Sequence, residues 1–237
     1  MALKRRLKNF LKRSGIHVRL QDPDVDLKRR LKLLSHYSIN KVFDIGANTG
    51  DYAINMRDAG YIGKVISFEP LSSAYSVLSK ACSNDKNWES INMAIGSRDE
   101  ETFINIAGNS QSSSLLDMLP EHVKSAPSSA YIGKEKITVR KMDTIFNQYY
   151  GEGDHILLKI DTQGFEKQVL DGAEQSLSKI TGIQLEMSLI PLYANEMLYL
   201  EMIAFLKGKG FILMSIENGF ANPTTGQLLQ VDGLFFR

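Results

Sequence analysis

A strand that runs into a glycine-rich loop is the clearest chemical feature of this 237-residue sequence. In the segment VFDIGANTGDY, Asp44 lies inside the end of the apolar run, and Gly46, Asn48 and Gly50 follow the run. Glycines at the carboxyl end of a strand let the backbone turn sharply and leave room for a ligand. Glu69 comes nineteen residues after Gly50, directly behind the next apolar run. Nucleoside-binding folds place a carboxylate there to accept ribose hydroxyls, so the pattern predicts a nucleoside site.

The loop also narrows the choice of nucleoside. A dinucleotide site uses G-x-G-x-x-G, whose second glycine lets the pyrophosphate approach the backbone. Here Asn48 takes that position, and Asp44 would repel a diphosphate. A carboxylate and an amide suit a ligand with an ammonium group and a ribose, so we expect S-adenosylmethionine. An NAD(P)-dependent oxidoreductase and a non-catalytic binding module on the same fold are the alternatives.

Two acidic residues close to later strand ends are the candidates for catalysis. Asp161 follows the run ILLKI, and Glu186 lies near the end of IQLEM. Open α/β sheets keep their ligands at the carboxyl ends of the strands, where either carboxylate can take a proton from an acceptor hydroxyl or orient it. Asp161 also suits a helix start, and the two carboxylates can ligate Mg²⁺ without forming a metal motif. We expect Lys159 to point away from the cofactor, His122 to be an exposed loop residue, and Tyr193 to contact the acceptor or to pack.

Five motifs occur in order between residues 41 and 237, namely DIGANTGDY, FEP, INMAIGSRDEE, LLKIDTQGFEKQVLDGA and LLQVDGLFF. Together they resemble the motifs of the FkbM-type S-adenosylmethionine-dependent methyltransferases. The resemblance implies a seven-stranded methyltransferase fold and, usually, O-methylation of sugars or hydroxylated natural products. We therefore expect the methyl acceptor to be a hydroxyl of a sugar, a glycan or a secondary metabolite.

The resemblance also implies roles for individual residues. Asp44, Gly46, Asn48 and Gly50 would surround the methionine moiety, Glu69 would hold the ribose, and Asn92 and Ala94 would flank the adenine. One position departs from the family pattern, because Gln163 stands where the family often has Glu. The site therefore has one carboxylate fewer than the resemblance would supply.

Hydrophobic patterning predicts the elements that position these residues. Short apolar runs alternate with helical patterns from residue 41 onwards, which is typical of βαβ units and a parallel sheet. The last two runs have no room for a crossover helix, so they should be antiparallel. The sequence thus predicts an α/β, Rossmann-like, seven-stranded and mostly parallel sheet with helices on both faces and a C-terminal antiparallel hairpin, which is the class I methyltransferase fold. The predicted strands are 41–45, 64–68, 90–95, 156–160, 183–187, 211–216 and 233–236, and the predicted helices are 51–59, 72–82, 165–177 and 198–209.

Charge divides the chain into two predicted parts. Residues 1–35 are predicted to form a basic, amphipathic helical leader, and residues 36–237 the methyltransferase domain, with an insertion at about 107–136 between extra strands at 102–106 and 137–139. The first 32 residues have a net charge of +8 and the rest of the chain −7. An acidic body argues against nucleic-acid binding. The leader either packs on the domain or contacts an anionic membrane surface as a peripheral attachment.

Composition bounds the cellular setting. A single cysteine, Cys82, excludes an internal disulfide. No run approaches the roughly 20 apolar residues of a membrane span, and the basic amino terminus lacks the apolar region of a signal peptide. We therefore expect a cytoplasmic protein.

Overall fold

The computed structural model describes residues 25–237, so the predicted amphipathic helix within 3–13 lies outside the described residues. The strands of the described part are β1 Lys41–Ile45, β2 Lys64–Phe68, β3 Trp88–Ile91, β4 Ala94–Ile95, β5 Glu100–Ala107, β6 Tyr131–Arg140, β7 Ile156–Ile160, β8 Ile180–Ser188, β9 Ile212–Asn218 and β10 Gln230–Phe236. Its α-helices are α1 Val25–His36, α2 Asp51–Asp58, α3 Ser72–Cys82, α4 Pro120–Ser125, α5 Met142–Tyr149, α6 Glu166–Asp171 and α7 Tyr199–Gly208.

Seven strands form one sheet in the order β3-β2-β1-β7-β8-β10-β9. The pairs from β3 to β8 are parallel, and β10 is antiparallel to both β8 and β9. The predicted fold class is therefore confirmed, including the C-terminal antiparallel hairpin. The other three strands form a small second sheet in the order β4-β6-β5.

The central strands are buried on both faces because their residues are apolar on both faces. Every residue of β1 and of β7 is buried. Phe43 and Leu158 belong to one hydrophobic cluster, while Val42 and Leu157 belong to the cluster on the opposite face. Nearly continuous apolar runs are typical of parallel strands covered on both sides. This packing fixes the strand ends from which the candidate site residues extend.

Several predicted elements differ from the structure. The strand predicted at 90–95 is wrong, because β3 ends at Ile91 and β4 belongs to the second sheet. Asn92 separates them, since its side-chain amide donates to the carbonyls of Glu69 and Pro70, at 2.9 and 3.0 Å, and competes with strand pairing. The helix predicted at 165–177 ends at Asp171 and gives way to the 3-10 helix Ser176–Lys179. The strand predicted at 137–139 is the ten-residue β6, which pairs with β5.

Helix α1 packs against the C-terminal hairpin. Leu34 is buried in the core, and Arg29 donates a hydrogen bond to Ser215 Oγ at 3.2 Å. Arg30 forms an ion pair with Glu217, whose side chain is only 3% exposed. No helix described between residues 25 and 237 is long and apolar enough to span a bilayer.

Candidate functional site

A cavity of about 450 Å³ lies at the carboxyl ends of the parallel strands. Its lining includes Gly46 behind β1, Glu69 behind β2 and Asp161 behind β7, together with Glu186 of β8 and Asp232 of β10. Five adjacent strands thus contribute to one wall. Ligands of open α/β sheets bind at this edge.

The two glycines of the loop serve different purposes. Gly46 has φ +75, and a Cβ atom there would lie 1.8 Å from the carbonyl oxygen of Asp161. Only glycine therefore lets the ends of β1 and β7 approach so closely. Gly50 has φ +94, and its Cβ would meet Leu78 and Trp88 at 2.9 Å. Gly50 is outside the cavity lining, so it packs the loop against α3 and β3 rather than facing a ligand.

Asp44 lies beneath the loop and not in the cavity wall. It is fully buried, its Oδ1 is 3.0 Å from Lys159 Nζ, and its Oδ2 accepts a hydrogen bond from Ser67 at 3.0 Å. The two charges meet because Asp44 and Lys159 are register partners on β1 and β7. Burial opposes the charge of Lys159, but the ion pairs with Asp44 and Asp161 outweigh it and raise the pKa of Lys159. Asp44 is therefore not part of the cavity wall, where the resemblance would place it beside a methionine moiety.

Lys159 lines the cavity, so the prediction that it points away was wrong. Its Nζ lies 5.2 Å from the centre of the Tyr52 ring, and the guanidinium carbon of Arg30 lies at the same distance from that ring. Tyr52 donates a hydrogen bond to Gln184 at 3.0 Å. A buried carboxylate needs a charged partner, so Lys159 lies on the same side of the sheet as Asp44. The sequence did not show which side that was, because β7 is a nearly continuous apolar run.

Glu69 occupies the position predicted for it. Its side chain is nearly fully buried, and its two oxygens accept backbone N–H hydrogen bonds from Asn48 and Leu71, both at 2.8 Å. Burial raises the pKa of Glu69 to about 7. Each carboxylate oxygen has two acceptor sites, so one acceptor site on each oxygen is left for a ligand hydroxyl.

The surroundings of Glu69 combine polar and apolar groups. Asn48 adopts a left-handed conformation with φ 47, and its amide lies 3.4 Å from Ser110 Oγ. Asn92 is outside the lining and instead holds the chain behind Glu69 through the carbonyl bonds given above. Ala94 does line the cavity, together with Leu71, Ile95, Ile104 and Leu115. These side chains form an apolar wall on this side of the cavity.

Acidic groups gather on the other side of the cavity. Gln163 Nε2 donates to Asp161 Oδ1 and to Glu186 Oε2, both at 2.9 Å. Gln230 also donates to Glu186 Oε2, at 2.7 Å. Burial, followed by the charges of Asp161 and Asp232, raises the pKa of Glu186 well above its ordinary value. Both predicted catalytic carboxylates are therefore brought together in one hydrogen-bonded group.

Sequence reasoning missed Asp232 and Arg30. Asp232 pairs in register with Glu186 on the antiparallel neighbour strand, and burial raises its pKa to about 6. The predicted last strand began at Gly233 and so excluded this acid, although it stands in the motif LLQVDGLFF. Arg30 enters the lining from α1, which precedes the domain. No local signal in the sequence indicates that contact.

Two residues considered at the sequence level turn out to be buried. His122 is 3% exposed, so the expectation of an exposed loop histidine was wrong. Its ring packs edge-on against Tyr193, with 5.1 Å between the centroids, and burial lowers its pKa. Tyr193 is fully buried, lies outside the lining, and donates to Gln163 Oε1 at 2.8 Å. Of the two roles considered for Tyr193, the structure shows packing.

Metal ions in proteins are held mainly by acidic, histidine and cysteine side chains. Within residues 25–237, no group of three or more such side chains is arranged to hold a metal ion. Asp161 and Glu186 accept hydrogen bonds from side-chain amides, and Asp161 Oδ2 also lies 3.6 Å from Lys159 Nζ.

The fold and the cavity define a doubly wound α/β protein with a nucleoside-type site. A family model, the methyltransferase FkbM domain, matches residues 44–213, which is more than half of the chain. The chain therefore belongs to the FkbM methyltransferase domain family. No curated protein is similar enough to the chain to count as a match.

Solved structures of low sequence identity are also similar to this chain. A fibrillarin from Aeropyrum pernix, solved with S-adenosyl-L-methionine, has 10% identity and a TM-score of 0.44 over 82% of this chain and 66% of that one. M. capricolum TrmK, in complex with S-adenosyl-homocysteine, has 7% identity and a TM-score of 0.46 over 87% and 67%. A precorrin-6y C5,15-methyltransferase from Geobacter metallireducens has 11% identity and a TM-score of 0.44 over 88% and 86%. At these identities the likeness concerns the course of the chain only.

Proposed function

We propose that the chain binds S-adenosylmethionine in the cavity and transfers its methyl group to a hydroxyl of a sugar, a glycan or a secondary metabolite. The observation that carries this proposal is the division of the cavity into two sides. A buried carboxylate beside an apolar wall lies behind β2, and a hydrogen-bonded carboxylate group lies behind β7 and beside β8 and β10. The first side suits a nucleoside, and the second suits a hydroxyl that must lose a proton.

The residues present fit this donor. Position 46 has room only for a backbone without Cβ, which holds the ends of β1 and β7 together at the cavity wall. Glu69 would accept the ribose hydroxyls, and the apolar wall around Ala94 would cover the base. A dinucleotide fits less well, because Asn48 is held in a left-handed turn where a second glycine would be needed.

The chemistry on the acceptor side is proton removal and alignment. When bound, S-adenosylmethionine supplies an electrophilic methyl group whose bond to sulfur breaks, with the electron pair returning to sulfur, as the acceptor oxygen attacks. Asp161 would take the hydroxyl proton, since its side chain is 40% exposed and its Oδ2 lies 3.6 Å from Lys159 Nζ. Glu186 would orient the acceptor. Holding the two reactants in line would supply much of the acceleration.

The first experiment is calorimetric titration with S-adenosylhomocysteine, with NAD and NADP as comparators. We expect saturable binding of S-adenosylhomocysteine alone and its loss in Glu69→Ala, provided that this variant is folded at the temperature of the titration. Binding of NAD or NADP alone would overturn the proposal in favour of an oxidoreductase. Binding of none of the three would favour a non-catalytic module.

A second experiment addresses the hydroxyl acceptor and the base. Transfer of radiolabelled methyl from S-adenosylmethionine to a panel of glycosides and hydroxylated metabolites should identify an acceptor. Asp161→Asn should then lower turnover by about 10²–10⁴-fold, the usual contribution of a general base, and retain S-adenosylhomocysteine binding. Parallel assays with EDTA and with added Mg²⁺ show whether Asp161 and Glu186 act through a metal, in which case EDTA would abolish turnover.

A further inference from the structure

Gln163 stands at a strained position between the two candidate catalytic carboxylates. It lies two residues after Asp161, in the turn that joins β7 to α6, and has φ 56. A left-handed conformation is uncommon for a residue other than glycine and is found often at functional sites. The turn is closed by Glu166, whose Oε1 accepts backbone hydrogen bonds from Thr162 at 2.9 Å and Gly164 at 3.2 Å.

The side-chain amide of Gln163 has a fixed orientation. Its Nε2 donates to both Asp161 and Glu186, and its Oε1 accepts from Tyr193 Oη at 2.8 Å. A tyrosine hydroxyl can donate and an ionised carboxylate can only accept, so a flipped amide would place oxygen against the carboxylate oxygens. Ser114 adds a bond to the backbone, because its Oγ donates to the carbonyl of Gln163 at 2.7 Å.

The carboxylates need such a donor because they crowd one another. Asp161, Glu186 and Asp232 line the same cavity, and the last two are cross-strand partners. Like charges placed directly opposite each other across two strands are destabilising. Within the described residues, two cations line the same cavity, and both are already paired: Lys159 with Asp44 at 3.0 Å, although it also lies 3.6 Å from Asp161, and Arg30 with Glu217. The buried carboxyl of Glu166 adds further negative charge to the surroundings of Glu186.

We propose that Gln163 is a positioning residue for methyl transfer, whose amide holds Asp161 and Glu186 in one hydrogen-bonded pair. The proposal rests on the proposed function, in which Asp161 takes the acceptor proton. Because Glu186 Oε2 accepts from both Gln163 and Gln230, a proton held by Glu186 resides on Oε1. Asp161 Oδ1 accepts from Gln163 and keeps one acceptor site, whereas Oδ2 accepts no hydrogen bond from Gln163, so the acceptor hydroxyl would bind at Oδ2.

The test follows the carboxyl groups of the purified full-length chain directly, with no ligand present. Carbon-13 labels on Asp and Glu side chains report each titration by NMR, and Glu186→Gln assigns the Glu186 signal. We expect Gln163→Met to raise the titration midpoint of Glu186 by about one pH unit, because one of two donors to its ionised form is lost. Gln163→Glu, which has the same shape, should raise it further by adding a charge. The matched control is Gln168→Met on α6, which lies outside the cavity lining and should leave the midpoint unchanged.

Each outcome decides the matter. An unchanged Glu186 midpoint in folded Gln163→Met, or in Gln163→Glu where the first variant does not fold, would overturn the positioning role. A raised midpoint in either variant supports it, provided that Gln168→Met does not produce the same change. The S-adenosylhomocysteine titration is separate, so a protein whose midpoint shifts but which binds no S-adenosylhomocysteine would retain the pairing and lose the proposed function.

Discussion

Substitution of Glu69 by Gln is the most informative change to the proposed donor site. Glu69 is 4% exposed, and both of its oxygens already accept backbone hydrogen bonds. An amide in the same place keeps the shape but exchanges one acceptor oxygen for a donor. The amide therefore loses a hydrogen bond to a ribose hydroxyl, and its NH₂ group faces a backbone N–H from which it cannot accept a hydrogen bond. Hydrogen bonds to charged groups contribute about 1.5–3 kcal/mol, so we expect S-adenosylhomocysteine affinity to fall about 10- to 100-fold at pH 8.

The same carboxyl predicts a pH dependence that an ordinary glutamate would not show. Because burial raises the pKa of Glu69 to about 7, the ionised fraction falls from about nine-tenths at pH 8 to about one-tenth at pH 6. The affinity of the wild-type chain for S-adenosylhomocysteine should accordingly fall by up to about tenfold between these values. Glu69→Gln cannot titrate, so its affinity should be nearly constant over the same range.

Calorimetry at several pH values measures both effects. Glu135→Gln is the matched control, since Glu135 also accepts a backbone hydrogen bond, from Ser72 at 2.9 Å, but lies outside the cavity lining. It should bind S-adenosylhomocysteine as the wild type does. Equal affinities of wild type and Glu69→Gln at pH 8 would refute the assignment of Glu69 to the ribose, and a wild-type affinity that does not change between pH 6 and pH 8 would refute the raised pKa.

Three further predictions concern stability and the leader. In denaturant unfolding, Gly46→Ala should lower stability by about 1–2 kcal/mol because of its positive φ, and by about 1–3 kcal/mol more because its Cβ would contact the Asp161 carbonyl. Gly60→Ala is the control, since Gly60 has φ +95 with nothing within 4 Å, and it should show only the first loss. Equal losses in the two variants would contradict the close approach of β1 and β7. Burial raises the pKa of Glu69 from 4.5 to about 7, so the folded state holds a proton that the unfolded chain releases. The contribution of Glu69 to the free energy of unfolding should therefore fall by up to about 3 kcal/mol as pH rises from about 4.5 to about 7. The same pH dependence of stability in wild type and Glu69→Gln would exclude the shift. If the basic leader attaches peripherally to membranes, deletion of residues 1–24 should abolish binding to anionic vesicles and leave S-adenosylhomocysteine binding unchanged. Vesicle binding that survives the deletion would show that these residues do not provide the attachment.

The parts that the sequence predicted best are those governed by local pattern. Apolar runs and glycine-rich turns placed β1, β2 and β7 at their observed bounds, and the loop and Glu69 followed from them. The carboxyl edge of a parallel sheet is common to all of its strands, so Asp161 and Glu186 were also placed at the cavity.

Contacts between distant segments were the parts that local pattern did not predict. Asp44 and Lys159 are separated by more than a hundred residues and pair only because β1 lies next to β7. An acid at a strand end is therefore the partner of a buried lysine and lies outside the cavity lining. Asp232 was missed because its neighbour Glu186 lies across an antiparallel pair whose register only the folded sheet determines.

The ion pair between Arg30 and Glu217 tests whether α1 is an integral part of the domain instead of a separable leader. Arg30 lies before the family-matched segment and Glu217 after it, yet their side chains pair with 14% and 3% exposure. Removing one partner of a buried pair leaves an uncompensated charge, which costs about 3–5 kcal/mol. We expect Arg30→Met to lower the free energy of unfolding by about that amount and the double variant Arg30→Met with Glu217→Leu to recover most of it. Because Arg30 also lines the cavity, both variants should change turnover with the methyl acceptor. Both should bind S-adenosylhomocysteine as the wild type does. Unfolding that is insensitive to Arg30→Met would instead place the domain boundary after α1, as the charge pattern of the sequence suggested.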